Sequence, residues 1–351
     1  MKIGKNFKTI VFLTLMTTIL TGCNSNKEKL ENKEIKIGIT LYKQDDKFIS
    51  SISRNLEEIV KEKEISDKIK INLDFLDAKG SSTNQGNQVD KFINQNYDII
   101  CVNLVDRTAA ATIIDKAKAA NIPIIFFNRE PVEEDMNRWD KVFYVGAQAE
   151  QSARIQADII INEWENNRDI VDKNKDGKIQ YVMLEGEPGH QDASIRTEYC
   201  IKAIYEKGIE VEKLADDSAN WQSDQAINKM NQWINDFGDE IEVVFSNNDT
   251  MALGSIISIN NNIDKFTNKP IVVGIDGIEE ALEAVKSGDL KGTVISDAKL
   301  QAKSIFDIAY AVTNNKSLDN IEELEKGKYI KTAHQKVTKE NLEEYLNSIN
   351  N

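Results

Sequence analysis

From Ile35 onward, short apolar runs alternate with amphipathic stretches, and this alternation restricts the chain to a small set of folds. A short apolar run predicts a buried strand, and apolar residues three or four apart, such as Ile49, Ile52 and Leu56, predict a helix. Repeated strand and helix units predict an α/β protein whose parallel sheets are covered by helices on both faces. The ten predicted strands span residues 35–41, 71–75, 99–103, 123–127, 142–145, 179–184, 209–214, 242–245, 270–275 and 292–295.

Ten strands divide naturally into two sheets of about five. The break is predicted after Val145, where a strand passes into Gly146 and the long helical stretch 149–164. Two α/β domains with a cleft between them follow from this division. In parallel sheets of this kind, ligands bind beyond the carboxyl ends of the strands, so binding residues are expected directly after each strand.

Composition and charge limit the classes of partner. The chain has 351 residues, of which 40% are hydrophobic and 29% are charged, so it can bury the core of one large or two medium domains. Its formal net charge is -14, and its isoelectric point is about 4.9. Such a charge argues against nucleic acid and anionic membrane surfaces as partners.

The N-terminal residues predict export. Lys2, Lys5 and Lys8 precede an apolar run at residues 10–20, which is too short to span a bilayer comfortably. The following Leu-Thr-Gly-Cys, ending at Cys23, resembles the bacterial lipobox, in which the Cys becomes the lipid-bearing first residue. Residues 1–23 are therefore interpreted as a lipoprotein signal peptide with its lipobox. The mature chain is expected to be anchored through Cys23 to the outer face of the cytoplasmic membrane.

Residues 24–34 are polar and charged, and they are interpreted as a flexible tether to the lipid anchor. The two remaining cysteines, Cys101 and Cys200, fall in a predicted strand and a predicted helix. An exported chain can form a disulfide between them, but two buried thiols are favoured because the sequence has no dense cysteine framework.

Residues 172–180 read Asp-Lys-Asn-Lys-Asp-Gly-Lys-Ile-Gln and match the spacing of a calcium loop. Oxygens at positions 1, 3, 5, 7 and 9 converge on a hard cation, and Gly177 permits the sharp turn. Position 12 is Met183 rather than an acid, so a bidentate carboxylate must come from elsewhere. A strand, not an EF-hand helix, follows at residues 179–184, so the predicted site is structural. The alternative is a plain surface turn.

Polar and aromatic side chains follow the predicted strands. Carboxylates and amides suit pairs of neighbouring hydroxyl groups, and the faces of Phe and Trp suit the C–H patches of a sugar ring. A phosphate site would need a Gly-rich turn with cations, and none follows the first strand. The set therefore predicts a site for a neutral polyol. Its members are Asp46, Phe48, Asn103, His190, Asp192, Arg196, Trp221, Asn248 and Asp276.

Each of these residues also has a structural interpretation. Asp46 and Asp276 could serve only as helix caps, and Trp221 could anchor a helix on its sheet. At the level of function, a carbohydrate-active enzyme would place carboxylates in a similar cleft, but nothing marks a second catalytic carboxylate. A sugar-responsive regulator would need a DNA-binding segment where this chain has an export signal.

Several segments carry a resemblance to a known family, namely residues 42–48, 103–106, 126–131, 186–190 and 247–249. With these segments the chain resembles the galactose/glucose-binding proteins of sugar ABC transporters, within the type I periplasmic binding proteins, over nearly its whole length. The resemblance implies that Phe48 and Trp221 stack on a hexose while the polar set binds its hydroxyl groups. Where the family pattern has Asn, this chain has Ser296, which puts one sugar contact in doubt.

The resemblance also implies a bound calcium ion, with Glu242 supplying the missing bidentate carboxylate. The implied ligands are Asp172, Asn174, Asp176, the Lys178 carbonyl, Gln180 and Glu242. It further implies two Rossmann-like lobes joined by a three-stranded hinge with crossings near Gly146, Gly292 and Gly327. The expected first lobe holds residues 35–146 and 293–327, and the second holds 147–292 and 328–349.

The implied function is capture of D-galactose, D-glucose or a methyl galactoside by closure of the lobes, followed by delivery to an ABC permease. A monomer without enzymatic activity is expected. An alternative is that the same lobes feed a membrane chemoreceptor or a sensor kinase.

Overall fold

The computed structural model describes residues 34–321 and 323–349. The predicted signal peptide, Cys23 and all of the predicted tether except Glu34 lie outside the described residues. Two sheets form the framework. Their strands are β1 Glu34–Leu41, β2 Lys70–Asp77, β3 Ile99–Val102, β4 Ile124–Phe127, β5 Val142–Ala147, β6 Lys178–Glu185, β7 Glu210–Ser218, β8 Val243–Ser246, β9 Ile271–Val273, β10 Gly292–Ser296, β11 Tyr329–Thr332 and β12 His334–Thr338.

The helices fill the connections between strands, as the alternating pattern predicts. Helix α1 is typical, since its buried residues recur at helical spacing and its first turn is capped by the Asp46 side chain, which accepts a hydrogen bond from the Ile49 N–H. The helices are α1 Lys47–Asp67, α2 Ser82–Asn94, α3 Ala110–Ala120, α4 Glu133–Met136, α5 Ala149–Asn166, α6 Arg168–Val171, α7 Gln191–Glu206, α8 Ser223–Phe237, α9 Asp249–Asn261, α10 Glu279–Ser287, α11 Ala298–Thr313 and α12 Leu342–Ile349.

The first sheet has the order β11-β5-β4-β3-β1-β2, and all its strand pairs are parallel. Helices α1 and α11 cover one face, while α2 and α3 cover the other. Strands β3 and β4 are buried at every residue, which explains why they read as unbroken apolar runs.

The second sheet has the order β12-β10-β9-β8-β6-β7. Its pairs are parallel except for β10 with β12, which is antiparallel. Helices α5 and α7 cover one face, and α8, α9 and α10 cover the other. The predicted α/β class with two helix-covered sheets is confirmed, and all ten predicted strands are present.

The lobe boundaries differ from the prediction. Strand β10 pairs with β9 and β12, so residues 292–296 belong to the second lobe rather than the first. Strand β11 pairs with β5, so residues 329–332 belong to the first lobe rather than the second. Because backbone pairing assigns a strand to its sheet, the chain crosses between the lobes at Gln148, Asp297 and Ala333.

Cys101 and Cys200 are free thiols, and each is fully buried, as predicted. Burial raises the pKa of the Cys101 thiol to about 12, so this thiol stays protonated and unreactive. Within the described part of the chain, no helix is long and apolar enough to cross a membrane.

Candidate functional site

A small cavity lies between the two lobes. Each lobe contributes half of the lining residues, and those from each lobe follow the carboxyl ends of its strands. The first lobe supplies Tyr42, Asp46, Phe48, Ile49, Asn128 and Arg129, and the second supplies His190, Asp192, Arg196, Trp221, Asn248 and Asp276. Eight of the ten sequence-predicted site residues are thus brought to one cavity.

Three of the lining residues cap helices at the same time. Asp46 caps α1, and its second oxygen accepts a 2.5 Å hydrogen bond from the Tyr42 hydroxyl. The His190 Nδ1 accepts a hydrogen bond from the Asp192 N–H at the start of α7, and the Asn248 Oδ1 accepts one from the Met251 N–H at the start of α9. Capping and lining the cavity are therefore not alternatives, because the caps fix the orientation of the side chains that line it.

Asp276 is not a helix cap. It lies two residues before Ile278, the residue that precedes α10, and its side chain makes no capping bond there. Its φ angle is 128°, a conformation that non-glycine residues rarely adopt. Asn128 and Trp221 also have positive φ angles, of 62° and 65°. Three residues that line the cavity thus hold uncommon backbone conformations, a feature that clusters at binding sites.

The indole of Trp221 lies edge-on to the His190 ring, with centroids 5.0 Å apart. Gly186 leaves the space for it, because a Cβ atom at that position would come within 2.1 Å of the ring. Phe48 lines the same cavity from the opposite lobe. The cavity therefore presents one aromatic ring from each lobe.

Burial dominates the electrostatics of the site. It raises the pKa of Asp276 well above its ordinary value, although the nearby Arg196 guanidinium opposes the rise. Burial also raises the pKa of Asp192. The pKa of His190 falls well below its ordinary value because of burial and the positive charges of nearby arginines. A neutral His190 whose Nδ1 accepts a hydrogen bond carries its proton on Nε2, so it can donate to a ligand.

Arg196 offers a further donor to the cavity. Its Nη1 donates to the Asn247 carbonyl at 2.9 Å, and its side chain lies 3.8 Å from Asp276 and 4.0 Å from Asp192. Its Nε is buried and has no hydrogen-bond partner among the described residues. Donors and acceptors that face one cavity in this way match the hydroxyl groups of a neutral ligand.

Arg129 links the two lobes, a role that the sequence analysis missed. Its guanidinium pairs with the Glu187 carboxylate of the second lobe at 2.5 Å and donates to the Val105 carbonyl at 2.7 Å. It also packs over the Tyr42 ring, 4.1 Å from the ring centroid. Tyr42, Asn128 and Arg129 all belong to segments that carry the family resemblance, which was the available signal for them.

Two predicted site residues lie outside the cavity lining. The buried Asn103 side chain is occupied within the first lobe, where it accepts from the Tyr42 N–H at 3.3 Å and donates to the Phe127 carbonyl and the Asn128 side chain. Asn103 therefore positions the loop that carries Asn128.

Ser296 lies in a neighbouring crevice, and its hydroxyl accepts a long hydrogen bond from Gln301 at 3.4 Å.

The predicted calcium loop lies at the amino ends of the second sheet's strands, the edge opposite the cavity. Both oxygens of the buried Glu242 accept hydrogen bonds from the loop, from the Lys173 N–H at 2.6 Å and the Gln180 N–H at 2.9 Å. Asp176 accepts hydrogen bonds from the amides of Asn174 and Gln180. The residues of the predicted site are thus gathered in one place.

The donor set of this loop fits calcium, which takes oxygen ligands from carboxylates, amides and carbonyls. The Asp172 Oδ1 is buried and has no hydrogen-bond partner among the described residues, so it is available to a cation. Across residues 34–321 and 323–349, no group of three or more His, Cys, Asp and Glu side chains is arranged as a metal site.

Comparison with known proteins places the chain in a family. Residues 37–317 match the family model of the periplasmic binding protein domain. The D-galactose/methyl-galactoside binding periplasmic protein MglB of Haemophilus influenzae is 36% identical over 97% of this chain and 99% of its own length. The xylitol-binding protein of Mycolicibacterium smegmatis is 28% identical over 85% of this chain and 78% of its own length.

A solved structure of a solute-binding protein is also similar to this chain. The solute-binding protein of an ABC transporter from Bacillus halodurans, with bound myo-inositol, superposes with a TM-score of 0.73 at 30% identity, over 90% of this chain and 98% of that one. Members of this family bind solutes for transport, so the prediction that the chain is not an enzyme is confirmed. The chain belongs to the periplasmic binding protein domain family.

Proposed function

We propose that the protein captures one neutral hexose between its lobes and delivers it to an ABC permease, with D-galactose, D-glucose or a methyl galactoside as the ligand. The observation that carries this proposal is the cavity itself. It presents Phe48 and Trp221 from opposite lobes and is lined by three acids, two amides, two arginines and His190. Aromatic faces pack on the C–H patches of a pyranose, while the polar groups match its hydroxyl groups.

Two further observations favour a hexose of this kind. The relative with 36% identity along nearly its whole length is named for D-galactose and methyl galactoside. Relatives named for xylitol and ribose are less identical, at 28% and 24%. All these ligands are neutral polyols, and the mixed donors and acceptors of the cavity suit that class.

Substitution of the lining residues tests the proposal. Trp221→Ala is expected to weaken hexose binding by about 1–3 kcal/mol through lost apolar contact, and to abolish most of the fluorescence change on sugar addition. Asp276→Ala is expected to weaken it by more, because buried hydroxyl groups lose a hydrogen-bonding partner and are left unsatisfied. Unchanged affinity in both variants, with intact folding by circular dichroism, would contradict the proposed site.

We also propose that calcium binds the loop of residues 172–180 together with Glu242. The support is the oxygen-rich ligand set, the unpaired Asp172 Oδ1 and the hydrogen bonds that join the loop to Glu242. Asp172, Asn174, Asp176, the Lys178 carbonyl, Gln180 and Glu242 would hold the ion. Bound calcium would tie the start of β6 to the start of β8 and would not touch the sugar cavity.

Lipid attachment at Cys23 is the third part of the proposal. Its support is the sequence alone, in which Leu-Thr-Gly-Cys ends an apolar run preceded by lysines. Anchored in this way, the binding lobes would stay close to the permease. Mass spectrometry of the protein isolated from its host membrane is expected to find diacylglyceryl-modified Cys23 as the first residue, and a free Cys23 thiol within an uncleaved chain would contradict it.

A further inference from the structure

The hinge contains a cluster of buried polar side chains outside the sugar cavity, which consists of Ser296, Gln301, Thr332 and His334. Ser296, which precedes the second crossing, is the cross-strand partner of His334, which follows the third crossing. Partners of this kind place their side chains on the same face of the sheet. Gln301, from the first lobe's helix α11, approaches Ser296 Oγ at 3.4 Å and Thr332 Oγ1 at 3.5 Å.

This cluster reaches all three crossings. Thr332 Oγ1 donates to the carbonyl of Gly146, just before the first crossing, at 3.2 Å. The His334 N–H donates to the Gln151 side chain of α5 at 2.7 Å, which fixes the His334 backbone to the second lobe. One small group of side chains therefore connects every point at which the chain passes between the lobes.

The cluster is incompletely hydrogen-bonded. Both ring nitrogens of His334 and the Gln301 Oε1 are buried and have no hydrogen-bond partner among the described residues. His334 is 8% exposed and Gln301 is 1% exposed, so bulk solvent does not replace those partners. A neutral imidazole has one donor and one acceptor, and an amide oxygen is an acceptor. A hydroxyl group, which both donates and accepts, matches these atoms.

The cluster also borders the sugar cavity. Ser296 and His334 line a crevice whose other walls include Phe48 and Asp276, and both of these residues line the sugar cavity as well. A hydroxyl group could therefore reach the hinge cluster from solvent, or it could belong to a ligand held in the cavity.

We propose that His334, Ser296 and Gln301 form a hydroxyl-binding site in the hinge, whose occupant joins the crossings and stabilises the conformation in which the lobes meet. The chemistry is the same whether the hydroxyl group belongs to water or to the bound sugar. Only the second source rests on the proposed sugar binding. His334 and Gln301 are positioning residues in this account, because they act on affinity through the hinge.

The test compares His334→Phe, which removes both nitrogens, with His334→Asn, which keeps one donor and one acceptor. Loss of one hydrogen bond corresponds to about a fivefold change in an equilibrium constant. His334→Phe is therefore expected to weaken hexose binding about fivefold and to lower the melting temperature of the sugar-free protein, while His334→Asn restores most of both. Gln301→Met, which removes the amide at nearly constant length, should act in the same direction as His334→Phe and provides a second variant if His334→Phe fails to fold.

Titration with a panel of sugars shows whether the hydroxyl group at the hinge belongs to water or to the bound sugar. D-galactose is compared with L-arabinose, which has the same ring without the exocyclic hydroxymethyl group, and D-glucose with D-xylose. If His334→Phe weakens the binding of both sugars in a pair by the same factor, the hydroxyl group belongs to water. If it weakens the binding of the hexose by a larger factor than that of the pentose, the hydroxyl group belongs to the sugar. Gln156→Met is the matched control, since Gln156 is buried with an unpaired Oε1 but lies within the second lobe. It is compared through the hinge density, which it should leave unchanged, and not through affinity, because its amide donates to the carbonyls of Ser246 and Val273 beside the cavity.

Crystal structures with and without D-galactose provide an assay that does not depend on affinity. Density for an oxygen atom about 2.7–3.1 Å from an imidazole nitrogen of His334 in either structure is the expected result. A raised melting temperature together with unchanged affinity in His334→Phe, and a hinge without such density, would overturn the proposal. The melting temperature and the density of the sugar-free protein remain informative even if no sugar binds.

Discussion

At the scale of single residues, Gly186 determines where the Trp221 indole can lie. A methyl group at Gly186 would sit about 2.1 Å from the ring, so Gly186→Ala forces the indole to move. Hexose affinity is expected to fall by about 1–3 kcal/mol, because the displaced ring loses its apolar contact with the sugar. Titration followed by intrinsic fluorescence measures both the affinity and the displaced indole.

The matched control for this change is Gly86→Ala in α2, where a Cβ atom would meet nothing within 4 Å. It should bind the sugar as the parent does and should gain about 0.5–1 kcal/mol of stability, since alanine favours the helix. If Gly186→Ala bound hexoses as tightly as Gly86→Ala does, Trp221 would not be a ligand contact.

His334 predicts a pH dependence of stability. Burial and the charge of Arg196 lower the pKa of His334 from its ordinary 6.5 to about 3. Between these two pH values the unfolded chain holds a proton that the native protein does not, so this residue's contribution to stability is present above pH 6.5 and is lost as the pH falls.

The difference in free energy of unfolding between the parent and His334→Phe isolates this effect. As the pH falls from 6.5 toward 3, the parent is expected to lose up to about 1.4 kcal/mol per pH unit relative to the variant. Urea unfolding at several pH values measures the difference. A difference that stays constant across this range would show that the native imidazole titrates normally.

The sequence predicted that most of the predicted site residues would meet in one cavity, because polar side chains that follow parallel strands meet at one edge of the sheet. It could not predict the direction in which an amide points. Asn103 follows β3 as expected, yet its side chain bonds to the backbones of Tyr42 and Phe127. Arg129 was missed because its partner, Glu187, lies 58 residues away in the other lobe.

At the scale of secondary structure elements, the proposed calcium site joins the start of β6 to the start of β8. An ion that binds only the native protein stabilises it by about 4 kcal/mol at a thousand times its dissociation constant. Excess chelator is therefore expected to lower the melting temperature, and added calcium should restore it. Glu242→Gln should abolish the response to calcium, because it removes the carboxylate that reaches the loop.

Asp169→Asn is the control for the calcium measurement, since Asp169 is an exposed acid close to the loop but outside the ligand set. It should keep the full response to chelator and calcium. Equal melting curves of the parent with and without chelator, together with metal-free purified protein, would contradict the site.

The alternating pattern predicted strands β1 to β10, because each is an apolar run long enough to be distinguished from its surroundings. Strands β11 and β12 were missed. They have four and five residues, and polar side chains such as Lys331, Gln335 and Lys336 interrupt them. Both stand at or near a hinge crossing, so their absence from the prediction also shifted the predicted lobe boundaries. Pairing between distant segments, which local sequence does not encode, assigns them to their sheets.

At the scale of the whole molecule, two ion pairs among the described residues join the lobes, and they differ in burial. Arg129 with Glu187 is largely buried, whereas Lys47 with Glu280 is exposed on both sides. Removing one member of a buried pair leaves the other charge uncompensated, while exposed pairs contribute little. Glu187→Gln is therefore expected to weaken hexose binding by about 1–3 kcal/mol, mainly through faster release.

Glu280→Gln is the matched control, because it removes the exposed interlobe pair by the same chemical change. Its effect on hexose affinity should stay below about 1 kcal/mol. Stopped-flow measurement of sugar release separates the two variants. Equal release rates for both would show that the Arg129 and Glu187 pair does not hold the lobes together.

The central claim is that the cavity between the lobes binds one neutral hexose. Isothermal titration calorimetry of the parent protein with D-galactose, D-glucose, methyl galactoside, xylitol, ribose and myo-inositol tests it directly. We expect saturable binding at one site per chain, with D-galactose, D-glucose or methyl galactoside bound more tightly than the other three polyols. Absence of binding to every hexose, or tighter binding of xylitol, ribose or myo-inositol, would contradict it.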